Sequence, residues 1–581
     1  MDTRMTSDPG GARRGVGYLT RGVRFVTLAM AIVVVAACGS SSSGPSGSAV
    51  PGKVGGKLIV DNESGSTWTC QFNPFNPAVN ITSIGFVYEP LEFVNILQTN
   101  TDGSAKVTPW LATDSSWSSN FETLTFTIRS GVKWSDGTPF TANDVVYTFN
   151  AMKADAALDL NALWASDQGP LTNVALQGTN QVVFTFNSPA QSYFYYVADQ
   201  SPIIPQHIWG SLDQTKLDSQ ADTNPVGTGP YLMSNCSQNN IKYLRNPNYW
   251  QATPGHPVPA VQEIDYPAFL SNTPANLELA QGQAQWGAQY IPNIQSYYIA
   301  KDPAHRHYWF PPILNVSLFP NLNNPLLSNL AVRQAIAMAI NRSQVSQRGE
   351  SGYEPAANQT GIVLPTYQSW YHKSLDTVTY NPSMAEQVLQ SAGFTKNSSG
   401  IYQNAQGKPL SFTIKTISGY TDWDASLQVI TQELKAVGID VTVQDEDSDP
   451  YTTDTQGGNF QLAYGEMPVA GPGPYYELRQ LLFSGNIGST NYSRYSSPST
   501  DALINQYSGA SVAQQQQIVQ QLSTVMATDI PVIPVTEGVD WYQYDTTSFG
   551  GWPTQSDPYA QPPVWAYPDN GVVLTHLYPL G

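Results

Sequence analysis

The chain has 581 residues, of which 41 % are hydrophobic, 11 % are aromatic and only 12 % are charged. Such apolar content is enough to bury sizeable cores, so a wholly disordered chain is excluded. The formal net charge of −18 repels phosphate backbones and anionic lipid surfaces, so we expect no nucleic-acid partner.

The N-terminus has the pattern of an export signal. Five Arg and two Asp lie in the first 37 residues, and Phe25–Ala37 is apolar except for Thr27. That run is short for a transmembrane helix, which needs about 20 residues, but typical of a signal peptide. Val35–Cys38 resembles a bacterial lipobox, so we predict a signal peptide over 1–37, lipid attachment at Cys38 and a flexible tether over 38–53. The alternative is an ordinary signal peptide that happens to contain a cysteine.

Two further cysteines, Cys70 and Cys236, remain if Cys38 carries the lipid. In an oxidising compartment such a pair is more often a disulfide than two free thiols. Metal binding is the weaker alternative, because no Cys-x-x-Cys motif or nearby His accompanies either residue. We therefore predict a disulfide, no metal site and no cofactor.

The first half of the exported chain is predicted to be rich in strands. Lys57–Val60 is the first of them, and alternation of apolar and polar residues predicts two more at Leu124–Ile128 and Val182–Phe186. Thr141, with Asp144 three residues later, has the spacing of a capping box and predicts the start of a helix.

The second half is predicted to alternate between helices and strands. In chain order we expect helix Ala331–Asn341, helix Met384–Gly393, strand Leu410–Ile417, helix Ser426–Val437, strand Gly438–Val443, helix Ser511–Asp529 and strand Ile530–Val535. This β-α-β rhythm indicates an α/β lobe. The remaining tail is predicted to consist mainly of loops.

Several segments together carry a family resemblance. They are Phe72–Pro77, Tyr88–Leu91, Leu124–Gly137, Pro139–Phe149, Val226–Tyr231, Asn246–Trp250, Val332–Arg342 and Leu389–Phe394. In this order, the mature chain resembles the family 5 solute-binding proteins of ABC importers, which include oligopeptide- and dipeptide-binding proteins. The resemblance implies an α/β periplasmic-binding-protein fold with two lobes, a hinge and an extra subdomain inserted in the first lobe.

The resemblance also implies a domain plan and a role. Lobe one would comprise 54–90, 223–310 and 536–581, the inserted subdomain 91–222, and lobe two 311–535. Ligand would bind between the lobes, which close on it. The protein would be an extracytoplasmic monomer, held on the membrane only by its lipid, that delivers ligand to the transmembrane subunits of an ABC permease.

The ligand class is the least determined feature. Relatives bind peptides, nickel complexes or oligosaccharides. A peptide-binding protein needs a buried carboxylate to pair with the N-terminal ammonium group of its ligand. Peptide-binding relatives supply an Asp in the segment matching Gln461–Tyr476, whose only acid here is Glu466. Glu466 could equally be a solvent-facing rim acid. Because Gly471–Tyr476, Asn491–Tyr495 and Gly551–Pro568 look more like the cello- and xylo-oligosaccharide-binding branch, we expect an oligosaccharide, with a peptide as the alternative.

Four tryptophans are candidate platforms for sugar rings, whose C–H faces pack on aromatic planes. Trp68 precedes Cys70, Trp286 lies near an expected lobe crossing, and Trp541 follows the last predicted strand. Trp423 is expected in a loop after a strand of lobe two, where α/β sheets present ligands. The alternative for each tryptophan is core packing.

Enzyme activity is not expected. No Gly-x-Ser-x-Gly nucleophile elbow occurs, and Gly227–Pro230 lacks the Gly-Lys-Ser/Thr of a phosphate loop. A glycosidase, which needs two paired carboxylates, stays a remote alternative because sequence spacing cannot test that pairing. A purely structural surface protein would bind no ligand in a saturable way.

Overall fold

The computed structural model describes residues 53–61, 67–76, 78–100, 104–164, 170–253, 257–467 and 471–580. All of them belong to the unit Ser48–Gly581. The predicted signal peptide and Cys38 lie outside the described residues.

The first large sheet has seven strands. Across the sheet their order is Arg306–Tyr308, Gln543–Asp545, Trp286–Gly287, Gly55–Asp61, Val261–Pro267, Asn240–Arg245 and Tyr231–Ser237. The central strand Gly55–Asp61 contains the predicted first strand and runs parallel to both of its neighbours, whereas the other pairs are antiparallel.

The second large sheet has five strands. Their order is Asp440–Glu446, Ser411–Ile417, Leu462–Glu466, Pro312–Pro320 and Ile533–Val539. The first three strands are parallel, and Pro312–Pro320 pairs antiparallel with the strands on both of its sides. Together with the first sheet, this gives the two α/β lobes that the family resemblance implies.

A third, antiparallel sheet lies within the segment expected to form the inserted subdomain. Its strands, in order, are Ala112–Trp117, Thr123–Ile128, Gln181–Phe186 and Leu171–Gln177. Buried and partly buried residues alternate along the two central strands, as the sequence pattern predicts. Two-stranded ribbons pair Glu92–Thr99 with Ala105–Pro109, Thr395–Lys396 with Tyr402–Gln403, and Phe549–Gly550 with Tyr578–Pro579.

Helices cover the sheets. The α-helices are Ile81–Val87, Ala142–Ala154, Phe194–Ala198, Gln206–Trp209, Asn272–Ala280, Ile294–Tyr297, Leu330–Ala339, Arg342–Arg348, Pro382–Ser391, Thr421–Ala436, Ser448–Gly457, Pro474–Leu482, Pro498–Gln506, Val512–Thr528 and Asp569–His576. Short 3₁₀ turns occur at Ala156–Leu158, Gln191–Tyr193, Ile299–Lys301, Gln368–Trp370, Lys373–Leu375, Ser484–Asn486 and Tyr507–Gly509. Within the described part of the chain, no helix combines the length and apolar character needed to cross a membrane.

The capping box predicted from the sequence is present. The carboxylate of Asp144 accepts a hydrogen bond from the backbone N–H of Thr141 at 2.8 Å, and the helix Ala142–Ala154 follows directly. This side chain satisfies a donor that the first helical turn would otherwise leave unpaired.

Three predicted elements differ from the structure. The helix expected from Ser426 begins at Thr421, which places Trp423 in its first turn rather than in a loop. The strand expected at 530–535 covers Ile533–Val539. The tail contains the helix Asp569–His576, which its Gly and β-branched residues disfavour, but which tertiary packing stabilises: the Asn570 amide donates to the carbonyls of Thr82 and Val564 at 3.0 and 2.7 Å.

The chain passes from the seven-stranded to the five-stranded sheet through residues 309–311 and returns through 540–542. The two crossings are hydrogen-bonded to each other. Asp540 N–H donates to the Pro311 carbonyl at 2.9 Å, and Trp309 N–H donates to the Tyr542 carbonyl at 3.2 Å. These crossings form the hinge between the lobes.

Candidate functional site

Two adjoining cavities lie between residues of the seven-stranded and five-stranded sheets. They have volumes of about 290 Å³ and about 500 Å³, and both are lined by Leu314, Tyr420, Trp423, Glu466 and Trp565. We call them together the interlobe cleft. Its size falls in the range of about 300–1,000 Å³ typical of small-molecule sites.

Strand direction explains why the cleft is here. Ser411–Ile417 and Leu462–Glu466 are parallel, and the latter runs in the same direction as Ile533–Val539 because both pair antiparallel with Pro312–Pro320. The carboxyl ends of these three strands therefore meet at one edge, where α/β sheets present ligands. Side chains at or just after these ends line the cleft, namely Glu466, Tyr420, Asp540 and Trp541.

Residues of the seven-stranded sheet and the tail form the opposite wall. Ala288, Gln289 and Tyr290 directly follow strand Trp286–Gly287 and line the smaller cavity. Tail residues, among them Gln561 and Trp565–Tyr567, line the larger one. The cleft therefore draws on both lobes, so a ligand inside it would contact both.

Two of the four predicted tryptophans line the cleft. Trp423 is 5 % exposed and packs edge-on against Tyr420 and Tyr464, with ring centroids 4.8 and 5.9 Å apart. Trp541 is half-buried and makes edge contacts with Phe310 at 4.9 Å and Tyr290 at 5.2 Å. Aromatic neighbours thus fix the orientation of both indoles at the cavity wall.

The other two predicted tryptophans, Trp68 and Trp286, are packed in the hydrophobic core. Trp68 donates its indole N–H to the Tyr266 carbonyl at 2.9 Å and packs against that ring at 4.5 Å. Trp286 is fully buried and donates to the Pro562 carbonyl at 2.9 Å. Neither indole lines the two cavities, because each is held by a backbone carbonyl inside the first lobe.

Glu466 lines both cavities of the interlobe cleft and is exposed to water there, which agrees with the solvent exposure expected in the alternative of a rim acid. Although water reaches it, protein surrounds the site. The surrounding protein, and then the neighbouring charge of Asp422, raise the pKa of Glu466 above its ordinary value.

Further carboxyl groups lie at the smaller cavity. Glu354, Asp422 and Asp540 line it beside Glu466, and burial raises the pKa of each of these three. Glu350 lies behind them and accepts a hydrogen bond from the Ser426 hydroxyl at 2.6 Å. Burial and the charge of Asp422 raise the pKa of Glu350 to about 8.

Sequence reasoning missed Trp565 and most of these acids. Trp565 lies in the stretch Gly551–Pro568, which resembles the oligosaccharide-binding branch, so that resemblance was the available signal. Glu350, Glu354 and Asp540 carry no local motif. Folding alone brings them together.

The structure joins Cys70 and Cys236 in a disulfide bond that closes a sequence separation of 166 residues. Among the residues that the structure describes, no group of three or more His, Cys, Asp or Glu side chains is arranged to hold a metal ion.

Curated relatives share part of the sequence. The chain is 23 % identical over 411 residues to the nickel-binding periplasmic protein of Escherichia coli, covering 69 % of this chain and 75 % of that protein. It is 25 % identical over 441 residues to the oligopeptide-binding protein AppA of Bacillus subtilis, covering 72 % and 75 %.

Solved structures are similar over nearly the whole chain. A mannohexaose-bound periplasmic oligopeptide-binding protein of Thermotoga maritima has a TM-score of 0.77 and 28 % identity, over 90 % of this chain and 98 % of that one. Bacillus subtilis AppA in complex with a nonapeptide has a TM-score of 0.71 and 20 % identity, over 91 % and 99 %, and shows the shared fold. The sequence model of the family described as bacterial extracellular solute-binding proteins, family 5 Middle, matches residues 106–489 of this chain. The two-lobed fold, the cleft between the lobes and this match establish that the chain belongs to the family 5 extracellular solute-binding proteins of bacteria.

Proposed function

We propose that this chain is the binding component of an ABC importer, and that its interlobe cleft captures an oligosaccharide and delivers it to the permease. Family membership supports the general role. The mannohexaose bound by the Thermotoga maritima protein supports the ligand class.

The aromatic wall of the cleft is the observation that carries the oligosaccharide proposal. Trp423 and Trp565 line both cavities, and Trp541 lines the smaller one. Indole planes pack against the C–H faces of sugar rings, while carboxylates and amides hydrogen-bond the hydroxyl groups around them. Gln289, Glu466 and Gln561 supply such groups from both lobes.

An oligopeptide is the second candidate ligand. Glu466 favours it, because a carboxylate in the cleft could pair with the ammonium group of a peptide. Peptide binding by relatives such as Bacillus subtilis AppA also supports this candidate.

The proposal includes a domain plan and a location. We assign 54–90, 223–310 and 536–581 to lobe one, 91–222 to the inserted subdomain and 311–535 to lobe two. We further propose that Cys38 carries the lipid that holds a monomeric protein on the outer face of the cytoplasmic membrane. The lipobox-like Val35–Cys38 and the Ser/Gly-rich residues after it support this anchor.

Calorimetric titration of the mature protein tests the proposal directly. Mannohexaose, β-linked gluco- and xylo-oligosaccharides, and a mixed oligopeptide pool would be titrated in parallel. We expect saturable one-to-one binding of an oligosaccharide, recovered intact after incubation because the protein transports and does not hydrolyse it. Saturable binding of peptides alone would overturn the oligosaccharide proposal, and released shorter sugars would overturn the non-enzymatic role.

A further inference from the structure

A second contact joins the lobes, apart from the hinge. It is made by residues 189–196, which belong to the segment that we assign to the inserted subdomain, with residues of lobe two. The hydroxyl groups of Ser192 and Ser508 are hydrogen-bonded to each other. The Tyr476 hydroxyl donates to the Ser192 carbonyl at 3.0 Å, and all three side chains are buried. We call the contact of 189–196 with Tyr476 and 507–509 the clasp.

Aromatic and apolar packing surrounds these hydrogen bonds. The ring of Tyr476 makes edge contacts with Tyr195 and Tyr196, at centroid distances of 6.2 and 6.0 Å. Val94 and Ile96, from the strand Glu92–Thr99, share a hydrophobic cluster with residues of lobe two. The hydroxyl groups of the clasp are therefore satisfied across the two lobes, inside an apolar surround that makes an unpaired hydroxyl costly.

The subdomain side of the clasp is fixed to lobe one. The side-chain amides of Asn95 and Gln200 donate to backbone carbonyls of the tail at 2.9 and 3.0 Å. Residues of the subdomain and of lobe one also share a single hydrophobic core. A rotation of lobe one against lobe two therefore carries Ser192 with lobe one and must separate it from Ser508.

The clasp and the hinge border different parts of the interlobe cleft. The hinge residues Asp540 and Trp541 line the smaller cavity. Tyr195 of the clasp lines the larger cavity. The two connections between the lobes thus lie on either side of the space that a ligand would fill, and movement about the hinge opens the cleft only if the clasp breaks.

A cavity within the clasp distinguishes it from a core. About 240 Å³ of space lies among residues of both sides, including Tyr195, Tyr476 and Tyr507. Protein cores contain few voids larger than a water molecule, whereas contacts between parts that move against each other are more polar than permanent ones. The void and the paired hydroxyl groups are typical of a contact that forms and breaks.

We propose that the clasp holds the lobes closed, through the hydrogen bonds of Ser192 with Ser508 and Tyr476. It raises the closed fraction of the ligand-free protein, and it must break before a bound ligand leaves. This goes beyond the proposed function, because the same contact would act on a bound oligosaccharide and on a bound peptide alike. Its free energy enters the equilibrium between open and closed lobes directly.

Single-molecule fluorescence energy transfer on the ligand-free mature protein tests the clasp. Dyes would be attached at Gln283→Cys in lobe one and Gln406→Cys in lobe two, both at exposed positions. Cys38→Ser would be present throughout, so that Cys38 takes up no dye. We expect Tyr476→Phe and Ser508→Ala each to raise the ratio of open to closed molecules by about 2- to 10-fold, as the loss of one hydrogen bond predicts.

Tyr475→Phe is the matched control. The Tyr475 hydroxyl donates to the Ile504 carbonyl at 3.1 Å, so this hydrogen bond lies within lobe two. The control should lower the melting temperature about as much as Tyr476→Phe does, because each variant loses one buried hydrogen bond, but should change the ratio of open to closed molecules by less than about twofold. Ser192→Ala combined with Ser508→Ala should have about the effect of Ser508→Ala alone, since both changes remove the same hydrogen bond.

Three results would overturn the inference. The first is an unchanged ratio of open to closed molecules in folded Tyr476→Phe and Ser508→Ala. The second is an equal rise in Tyr475→Phe, which would indicate a general loss of stability. The third is a wild-type protein without detectable closed molecules. Because no ligand is present, each result bears on the clasp and leaves the proposed ligand class to its own titration.

Discussion

The variant Trp541→Ala tests whether a tryptophan of the cleft wall contributes to ligand binding rather than to core stability. An indole buries about 150–250 Å² when fully covered. Trp541 is only partly exposed in the free protein, so about 25–90 Å² of its surface remains for a ligand. At about 25 cal/mol per Å² this contributes roughly 0.6–2 kcal/mol of binding. We therefore expect Trp541→Ala to weaken oligosaccharide binding by roughly 3- to 30-fold.

Trp68→Ala is the matched control. Trp68 is 8 % exposed, and its indole N–H is bonded to the Tyr266 carbonyl, so truncation leaves a cavity in the core of the first lobe. Large-to-small changes of this kind cost about 3–5 kcal/mol of unfolding free energy. Affinity for ligand should change little, provided that the variant is measured well below its melting temperature.

Urea unfolding and calorimetric titration measure both quantities for each variant. The expected pattern is a large affinity loss with a modest stability loss for Trp541→Ala, and the reverse for Trp68→Ala. Wild-type affinity in Trp541→Ala, together with weakened binding in folded Trp68→Ala, would refute the assignment of the cleft as the binding site.

Three further predictions concern pH, the disulfide and the anchor. Burial raises the pKa of Glu350 to about 8, from an ordinary value of 4.5. The native state therefore binds more protons than the unfolded chain, and ligand-free stability should, with respect to this group, be greatest below about pH 4.5 and fall as pH rises to about 8. Thermal melting should show a smaller fall in Glu350→Gln, and an equal fall would contradict this. Removing the Cys70–Cys236 bond should lower the unfolding free energy by about 2–5 kcal/mol, measured by denaturation of Cys70→Ala/Cys236→Ala, and unchanged stability would count against it. Cys38→Ala should move the protein out of the detergent phase of a membrane extract, and continued partitioning there would disprove lipid attachment.

The sequence predicted those elements whose stability is local. Apolar and polar residues alternate along the strand Thr123–Ile128 because one of its faces packs against the core. The helix Ala142–Ala154 is preceded by its own capping residue. The helix Asp569–His576 could not be predicted this way, because its residues disfavour a helix and its support comes from the distant Thr82 carbonyl. Local patterns report local free energies, and tertiary contacts override them.

The candidate site was predictable only in part for a related reason. Trp423 and Trp286 look alike in sequence, and what separates them is whether a distant carbonyl, here that of Pro562, lies within reach of the indole N–H. The acidic residues of the cleft were even harder to predict from the sequence. Glu350 and Asp540 lie 190 positions apart in the chain, one after a helix and the other after a strand, and only the tertiary fold brings both near Glu466.

The candidate site lies beside the two crossings between the lobes, so we expect ligand binding there to be coupled to lobe movement. Asp540 donates its backbone N–H to the Pro311 carbonyl of the other crossing, while its side chain lines the smaller cavity. Trp541, the next residue, forms part of the same wall. A rotation of one lobe against the other must change the backbone torsions of these crossings, and hence the positions of both side chains. We therefore expect a ligand that contacts Trp541 together with Glu466 to favour one hinge angle over others, so that its binding free energy would shift the lobes toward the closed arrangement.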